Sequence, residues 1–323
     1  MRLGLKNLHR FNERHYAARF LQGDGIEIGA CHLPLRVDKT ICRVKYIDKL
    51  TARQIKKLFP ELEGHRIVEA DIICDVIKSP LPFAENSLYF VIANHLLEHC
   101  PNPLKVFKEF YRVLKNFGVL YLSLPDKRYT FDRKRSVTPL SHLIKDFDNN
   151  ITNIDELHLV DHLEKADKIK IPKDLKKRKK LFKYHLNRSI HVHAWTYKEM
   201  VEFISYMIEK KGTCLDLLEL YLPKGVRNEV IFVLQKRADL KAAEAINKFK
   251  SDLIKLEERE SIQQNILPVS WRLRWVFGPV SKIIGDVLRR GIRRNKPQKC
   301  KKKNHYGGVK KTINEKRVEE KSD

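Results

Sequence analysis

The sequence lacks the features of secreted, membrane-spanning and cysteine-rich zinc proteins. Its six cysteines are scattered and form no C-x-x-C pair, so the sequence predicts neither a disulfide framework nor a cysteine-based zinc site and favours a reducing compartment. No apolar run approaches the roughly 20 residues that span a bilayer. The basic N-terminus lacks the apolar stretch of a secretion signal. We therefore expect a cytoplasmic protein.

Positive charge is abundant and unevenly distributed. The 323 residues include 65 Lys and Arg against 40 Asp and Glu, which gives a formal net charge of +25. Most of the excess lies in two segments, 168–183 and 271–323. Basic patches attract phosphate, nucleic acid or anionic lipid. The remainder has the composition of an ordinary globular domain and is long enough to bury a core.

A glycine turn near the N-terminus has the pattern of a cofactor-binding loop. Within residues 25–32 an apolar strand contains Glu27 and then turns at Gly29. Such a turn lets backbone N–H groups approach a ligand closely. About twenty residues later a second strand ends at Asp48, the spacing at which nucleotide-binding α/β folds place an acid on a ribose.

Strand-like and helix-like segments alternate as far as residue 124, the order expected for a parallel sheet covered by helices. Residues 126–190 are polar, rich in His, Asp and Lys, and interrupt this order as an insertion. A helix over 196–211 follows, and then two strands joined across 223–225 as an antiparallel hairpin. The other predicted helices are 2–21, 51–58 and 101–114, and the predicted strands are 43–47, 65–74, 88–93, 119–124, 214–222 and 229–235.

Three further segments follow the predicted domain. Residues 237–267 are charged and predict a helical linker. Residues 268–295 combine bulky apolar residues with arginine, and we expect 270–294 to lie on an anionic membrane surface, the inner face of the cytoplasmic membrane. The alternatives for this segment are a helix folded back on the domain, a dimer contact or a contact with nucleic acid. Residues 296–323 are basic and low in apolar content, which predicts disorder.

Several motifs, taken in chain order, resemble the class I S-adenosylmethionine-dependent methyltransferases. They are the glycine turn 27–30, Asp48, LPFAENS at 81–87, VIANHLLEH at 91–99 and RVLKNFGVL at 112–120. The resemblance covers about residues 20–236. It implies an α/β domain over 1–236 whose Rossmann-like, seven-stranded methyltransferase sheet has helices on both faces and a C-terminal antiparallel hairpin. The runs 125–132 and 138–143 are similar to a bacterial subgroup associated with glycosyltransferases of surface polysaccharide synthesis.

The resemblance implies S-adenosylmethionine as the cofactor. Its methionine part would lie on Glu27 and Gly29, its ribose on Asp48, and its adenine against Asp75 or, as the alternative, Asp71. Cys31 stands where the family usually has a second glycine, which narrows the turn. The implied cofactor-binding residues are Glu27, Gly29, Ala30, Asp48, Asp71, Asp75, Asn94 and His95.

His95 and His99 lie four residues apart on a predicted helix, so one helix face can hold both, as in a metal pair. No third ligand follows at motif spacing. The resemblance makes both histidines structural parts of the L-E-H turn. We therefore predict no metal site.

Methyl transfer from a sulfonium needs a base when the acceptor is a hydroxyl or an amine. Histidine suits this role because it titrates near neutral pH. His191 and His193 can instead fix the insertion to the core, and the insertion is expected to cover the acceptor. The six candidate bases are Asp126, His142, His158, His162, His191 and His193. Asp126, His142 and His191 are preferred.

Three functions remain open at this point. The leading hypothesis is O-methylation of a sugar or another small-molecule acceptor in glycan biosynthesis. The second is methylation of RNA, which the net charge favours, although no aromatic-interleaved RNA motif accompanies it. The third is a non-catalytic, cofactor-binding adaptor in a glycan assembly complex, for which Cys31 is the support.

Overall fold

The computed structural model describes residues 13–224 and 228–265. The strands are β1 Gly23–Ile28, β2 Cys42–Asp48, β3 Ile72–Ile73, β4 Leu88–Asn94, β5 Leu114–Pro125, β6 Leu215–Tyr221 and β7 Glu229–Lys236. The α-helices are α1 Glu13–Ala17, α2 Ala52–Leu58, α3 Pro103–Val113, α4 Leu140–Asp148, α5 Glu156–Lys165, α6 Leu175–Arg188, α7 Tyr197–Lys211 and α8 Ala242–Asn265. Short 3₁₀ turns cover Ala18–Phe20, Pro60–Leu62, Leu97–His99, Lys127–Tyr129 and Phe131–Lys134.

The strands form one sheet in the order β3-β2-β1-β4-β5-β7-β6. The first five strands in this order pair in parallel, whereas β7 runs antiparallel to both β5 and β6. The Rossmann-like methyltransferase sheet with its antiparallel hairpin is therefore confirmed. The direction of strand addition reverses between β1 and β4, and ligands of open α/β sheets bind in the crevice beyond the carboxyl ends of the strands at such a point.

The two faces of the sheet bury different cores. On one face, helices α3, α7 and α8 pack against the sheet with side chains such as Phe107, Phe203 and Phe249. On the other face, Phe90 and Tyr121 form a smaller core with apolar residues of α1 and of the loop after β1. Because successive strand residues point to opposite faces, β4 supplies both cores from a single apolar run.

Local sequence signals set the helix ends. Thr51 caps α2 through a capping box with Gln54, and Thr196 caps α7 in the same way with Glu199. Asn102 caps α3, and Pro103 occupies its first turn, where a missing N–H costs nothing. These helices begin and end within two residues of the predicted positions.

Two predicted segments differ from the structure. The strand predicted over 65–74 is reduced to Ile72–Ile73. Val68 N donates to Cys31 O, and Tyr46 N of β2 donates to the Asp71 carboxylate. The residues before Ile72 therefore form no ladder with β2. The predicted helical linker contains α8, which buries Phe249 and Ala245 completely in the main core. The segment is thus helical, as predicted, but α8 is part of the domain.

The insertion, 126–190, contains helices α4 to α6 and has its own small core of Leu159, Leu163, Ile190 and Val192. The predictions for 268–295 and 296–323, and the first part of the helix predicted over 2–21, lie outside the described residues. Within the described part of the chain, no helix is long and apolar enough to cross a membrane.

Candidate active site

Glu27 lies near the carboxyl end of β1 and is almost completely buried. Its two carboxylate oxygens accept hydrogen bonds from Leu35 N at 2.9 and 3.1 Å, and Asn94 Nδ2 donates to one of them at 3.4 Å. Burial raises the pKa of Glu27 to about 7, although these hydrogen bonds oppose the shift. The carboxylate therefore ties the loop after β1 to the end of β4.

The turn after β1 has the backbone geometry that the sequence suggested. Gly29 has φ +70°, and a Cβ built on it would meet no atom within 4 Å. Its N–H donates to Ile47 O at 2.8 Å, so the turn is held against β2. Cys31, which replaces a glycine of the family pattern, also has a positive φ of +49°. Ala30 O accepts from Leu33 N at 2.9 Å and completes the turn.

The predicted ribose and adenine residues have different surroundings. Asp48 ends β2, where its Oδ1 accepts from Leu50 N at 3.0 Å and burial raises its pKa. Asp75 accepts from Ile77 N at 3.1 Å just beyond β3. Asp71 instead accepts from Tyr46 N at 2.7 Å along the edge of β2. Of the two adenine candidates, Asp75 thus lies beyond the carboxyl end of the strands, and Asp71 does not.

His95 follows β4 directly, with φ +48°. Its Nε2 lies 2.9 Å from Glu229 Oε2, and its Nδ1 lies 3.3 Å from Glu98 Oε1. Burial lowers its pKa, but the two carboxylates outweigh burial and raise the value to about 9, so the ring is cationic at neutral pH. The prediction that His95 and His99 lie on one helix is wrong. His95 has a positive φ, which a residue of a right-handed helix does not adopt, and Leu97–His99 is a single 3₁₀ turn.

Glu229, at the start of β7, connects three segments around His95. Arg14 binds its carboxylate in bidentate fashion at 2.6 and 2.5 Å, and the Ser123 hydroxyl also donates to it. Burial favours the neutral form, yet His95 and Arg14 hold the pKa of Glu229 far below its ordinary value. No sequence motif indicated Glu229, since its partners lie more than a hundred residues away along the chain.

Glu98, His99 and His191 form a compact group beyond β4. Glu98 is fully buried; burial would raise its pKa, but His95 and the neighbouring histidines lower it. His99 Nδ1 lies 2.8 Å from Ile190 O, and burial lowers its pKa to about 4, so at neutral pH Nδ1–H donates and Nε2 carries a lone pair. The rings of His99 and His191 meet edge to face with centroids 4.7 Å apart.

Asp132 fixes the ring of His191 from the other side. Its Oδ2 lies 2.6 Å from His191 Nδ1, and its other oxygen accepts from the buried Arg135 at 2.9 Å. Arg135 also donates to His191 O and Val192 O at 2.8 and 2.9 Å and pairs with Asp161 at 2.7 Å. The carboxylate keeps the proton of His191 on Nδ1 and leaves Nε2 free as an acceptor.

The other candidate bases lie elsewhere. Asp126 is completely buried, and its carboxylate accepts from Arg128 and from Tyr197 N. It therefore caps the 3₁₀ turn Lys127–Tyr129 and ties this turn to the start of α7. His142 and His158 of the insertion form a separate group with His193, which follows the insertion. Burial lowers the pKa of His162 to about 4, and its nearest carboxylate is Asp167. Of the six candidates, His191 is the one whose ring lies in the group with Glu98 and His99.

Comparison with known proteins agrees with this architecture. Residues 23–122 match a family described as a methyltransferase domain. No curated protein matches the chain.

Several solved structures resemble the chain, among them the following three. A Bacillus halodurans protein, provisionally assigned as a methyltransferase, is 14% identical, with a TM-score of 0.38 over 69% of this chain and 99% of its own. A Methanosarcina mazei SAM-dependent methyltransferase is 17% identical, with a TM-score of 0.37 over 68% of this chain and 95% of its own. A Rhodobacter sphaeroides protein, provisionally assigned as a zinc-dependent alcohol dehydrogenase, is 16% identical, with a TM-score of 0.42 over 67% of this chain and 85% of its own.

Residues 23–122 thus form a methyltransferase domain, and the strand order is that of the Rossmann-like methyltransferase sheet. The domain makes the protein a methyltransferase enzyme, and the cofactor that this domain implies is S-adenosylmethionine.

Proposed function

We propose that the protein transfers the methyl group of S-adenosylmethionine to a hydroxyl group of a sugar in a glycan. The observation that carries this proposal is the Asp132–His191 pair, at 2.6 Å, beside the neutral ring of His99. A hydroxyl acceptor must lose its proton during transfer, and a histidine oriented by a carboxylate is suited to take it.

The residues at the ends of β1, β2 and β4 suit the cofactor. Gly29 leaves open space above a positive-φ turn, and Asn94 Oδ1 is buried without a hydrogen-bond partner among the described residues. Glu27, Asn94 and the turn would hold the methionine part, and Asp48 would hold the ribose diol. The bound cofactor supplies an electrophilic methyl group on its sulfonium.

The residues beyond β4 would orient and deprotonate the acceptor. His191 Nε2 would accept the hydroxyl proton, because Asp132 holds the other nitrogen as a donor. His95 is cationic and locked between two carboxylates, so it contributes positive charge and no base. Asp132 acts as a positioning residue for the ring of His191.

Exposed aromatic side chains in the segment that contacts His191 support a sugar as the acceptor. Phe131 is 54% exposed, and its ring lies 4.7 Å from that of His191, so an apolar face adjoins the base. Tyr129 is also exposed. A sugar offers both an apolar C–H face and hydroxyl groups, and aromatic rings next to polar side chains bind such amphipathic surfaces.

Methylation assays with tritium-labelled S-adenosylmethionine test this function. Full-length protein should label bacterial surface glycans or their oligosaccharide precursors and leave total RNA unlabelled. His191→Ala should lower kcat by about 10²- to 10⁴-fold while the Kd for S-adenosylmethionine stays unchanged. His185→Ala, in α6 and outside the group, is the matched control and should behave as wild type. Label in RNA, or full activity of His191→Ala, would overturn the proposal, and cofactor binding without any transfer would favour the adaptor.

The proposal includes a membrane partner: residues 270–294 would lie on an anionic membrane surface. This contact would bring the enzyme to acceptors held at an anionic membrane, and its support is the combination of arginine with bulky apolar residues in that segment. Full-length protein should float with anionic vesicles at low salt and not with neutral ones. Removal of 268–323 should abolish flotation without a change in cofactor affinity.

A further inference from the structure

Three histidines from three separate segments meet where the insertion packs against the segment before α7. His142 belongs to α4, His158 to α5, and His193 to the extended segment before α7. One ligand atom from each lies within 4.8 Å of the other two. We propose that His142, His158 and His193 bind one divalent transition-metal ion of the zinc type.

The hydrogen bonds around two of these rings fix the tautomers that a metal requires. His158 Nδ1 lies 2.7 Å from Asp155 Oδ1 and donates its proton there, which leaves a lone pair on Nε2. His193 Nε2 lies 3.4 Å from Pro101 O, which accepts its proton and leaves Nδ1 as the unprotonated atom. Metal-bound histidines usually donate their second N–H to a carboxylate or a backbone carbonyl in this way.

His193 Nδ1 is an orphan in the part of the chain that the structure describes. The residue is 1% exposed, and Nδ1 is buried without a hydrogen-bond partner there. Leaving such an atom unpaired in a protein interior is costly. A metal ion in the centre of the group would satisfy it.

Two contacts of His142 are short. His142 Nε2 lies 3.0 Å from His158 Nε2 and 3.1 Å from Asp146 Oδ2. The contact with Asp146 lacks the geometry of a hydrogen bond, and Oδ2 is buried without a hydrogen-bond partner among the described residues. In a tetrahedral zinc site with bonds of about 2.0–2.1 Å, ligand atoms are about 3.3 Å apart. His142 and His158 are therefore already about as close as two ligands of one metal ion, and the group as a whole lies within 4.8 Å.

The ligand types select the metal. Three imidazole nitrogens suit Zn²⁺ or Co²⁺, whereas Mg²⁺ and Ca²⁺ prefer oxygen ligands. Three protein ligands leave a fourth position, which water or the neighbouring Asp146 carboxylate would fill. The prediction of no metal site considered only neighbouring residues, and these histidines lie 16 and 35 positions apart in the sequence.

The site would join α4 and α5 to the segment that carries His191. Val192 N and His193 N both donate to Glu98 O, at 2.7 and 3.1 Å, so this segment runs directly beside the residues that follow β4. A metal at His193 would hold the segment from the opposite side. The inference does not rest on the proposed function, because metal binding is measured without an acceptor.

Metal content and cobalt spectra of full-length protein test the site. Protein prepared without chelators and dialysed against metal-free buffer should retain one zinc per chain by mass spectrometry. Replacement with Co²⁺ should give the intense visible absorption of tetrahedral cobalt. His158→Ala should abolish both signals, and His185→Ala, as a matched histidine control, should keep them. Asp155→Asn keeps the three histidine ligands and should weaken metal affinity by about 10- to 100-fold.

Two results would overturn this inference. One is wild-type protein that binds neither zinc nor cobalt in equimolar amount. The other is metal that survives His158→Ala and disappears in His191→Ala, because Glu98, His99 and His191 form a second group with atoms within 4.8 Å of one another. If His158→Ala does not fold, the cobalt spectrum and stoichiometry of the wild type and of Asp155→Asn still decide.

Discussion

The two halves of the crevice are built from contacts of different range. At the ends of β1 and β2, Glu27 and Asp48 accept hydrogen bonds from backbone N–H groups only eight and two residues away. Beyond β4, His95 binds a carboxylate 134 residues away, and His191 binds one 59 residues away. In the half proposed for the cofactor, the backbone donors are therefore local, and one side-chain donor, Asn94, comes from 67 residues away. In the half proposed for the acceptor, the ring partners of the histidines come from distant segments.

This difference has a functional meaning. In the cofactor half, a positive-φ glycine turn and lightly bonded carboxylates leave acceptor sites for a ligand. In the acceptor half, buried charges neutralise one another, as in the pairs of Arg135 with Asp132 and Asp161. Mutations should therefore affect cofactor affinity in the first half and folding stability or turnover in the second.

The largest expected effect concerns Arg135. Its side chain is 2% exposed and neutralises Asp132, which is also 2% exposed. Arg135→Ala would leave that carboxylate buried without its partner and should cost about 3–5 kcal/mol of unfolding free energy, measured by urea denaturation. Arg133→Ala is a matched control, since that side chain is exposed, and should change stability by less than about 0.5 kcal/mol. Equal stability of the two variants would contradict the distinction between the halves.

The next effect concerns Asp48. Asp48→Ala should remove a charge-assisted hydrogen bond worth roughly 1.5–3 kcal/mol and weaken S-adenosylmethionine binding at least about tenfold by calorimetric titration. Asp71→Ala is the control, because Asp71 is committed to Tyr46 N at the edge of the sheet. If Asp71→Ala weakens binding as much as Asp48→Ala does, the cofactor lies elsewhere along β2.

A third expectation follows from the pKa of Glu27, which burial raises to about 7. The folded state then binds a proton more tightly than the unfolded state, so this group's contribution to stability is complete below about pH 4.5 and is lost as the pH rises through 7. The hydrogen-bond donors of the cofactor need the ionised carboxylate of Glu27 as their acceptor. Cofactor affinity should therefore rise with pH, whereas the contribution of Glu27 to stability falls. The affinity should rise about tenfold per pH unit below 7 and level off above it.

Titration calorimetry between pH 5.5 and 8 measures this dependence. Glu27→Gln cannot ionise and should bind more weakly with a flat profile over that range. A profile for Glu27→Gln that parallels the wild type would show that another group controls the affinity.

The sequence predicted the local half of the molecule well. β2, β4 and α3 lie where their hydrophobic periodicity and caps place them. The short β3 was not predictable, because its length depends on bonds from Cys31 and Tyr46 in distant segments. Of the acceptor half, histidine frequency suggested His191 as one candidate among six. Its partners Asp132 and His99 come together only through tertiary packing.

The smallest effect, and the sharpest comparison, concerns two glycines with the same backbone angle. Gly29 and Gly212 both have φ +70°, and a Cβ on either would meet no atom within 4 Å. Alanine at either position adopts a left-handed conformation at a cost of about 1 kcal/mol, so both variants should lose similar stability in urea. Gly29→Ala also places a methyl group in the open space above the cofactor turn, whereas Gly212 ends α7. Calorimetry should therefore show weaker S-adenosylmethionine binding for Gly29→Ala and wild-type binding for Gly212→Ala. Wild-type affinity in both would mean that the cofactor does not approach this turn.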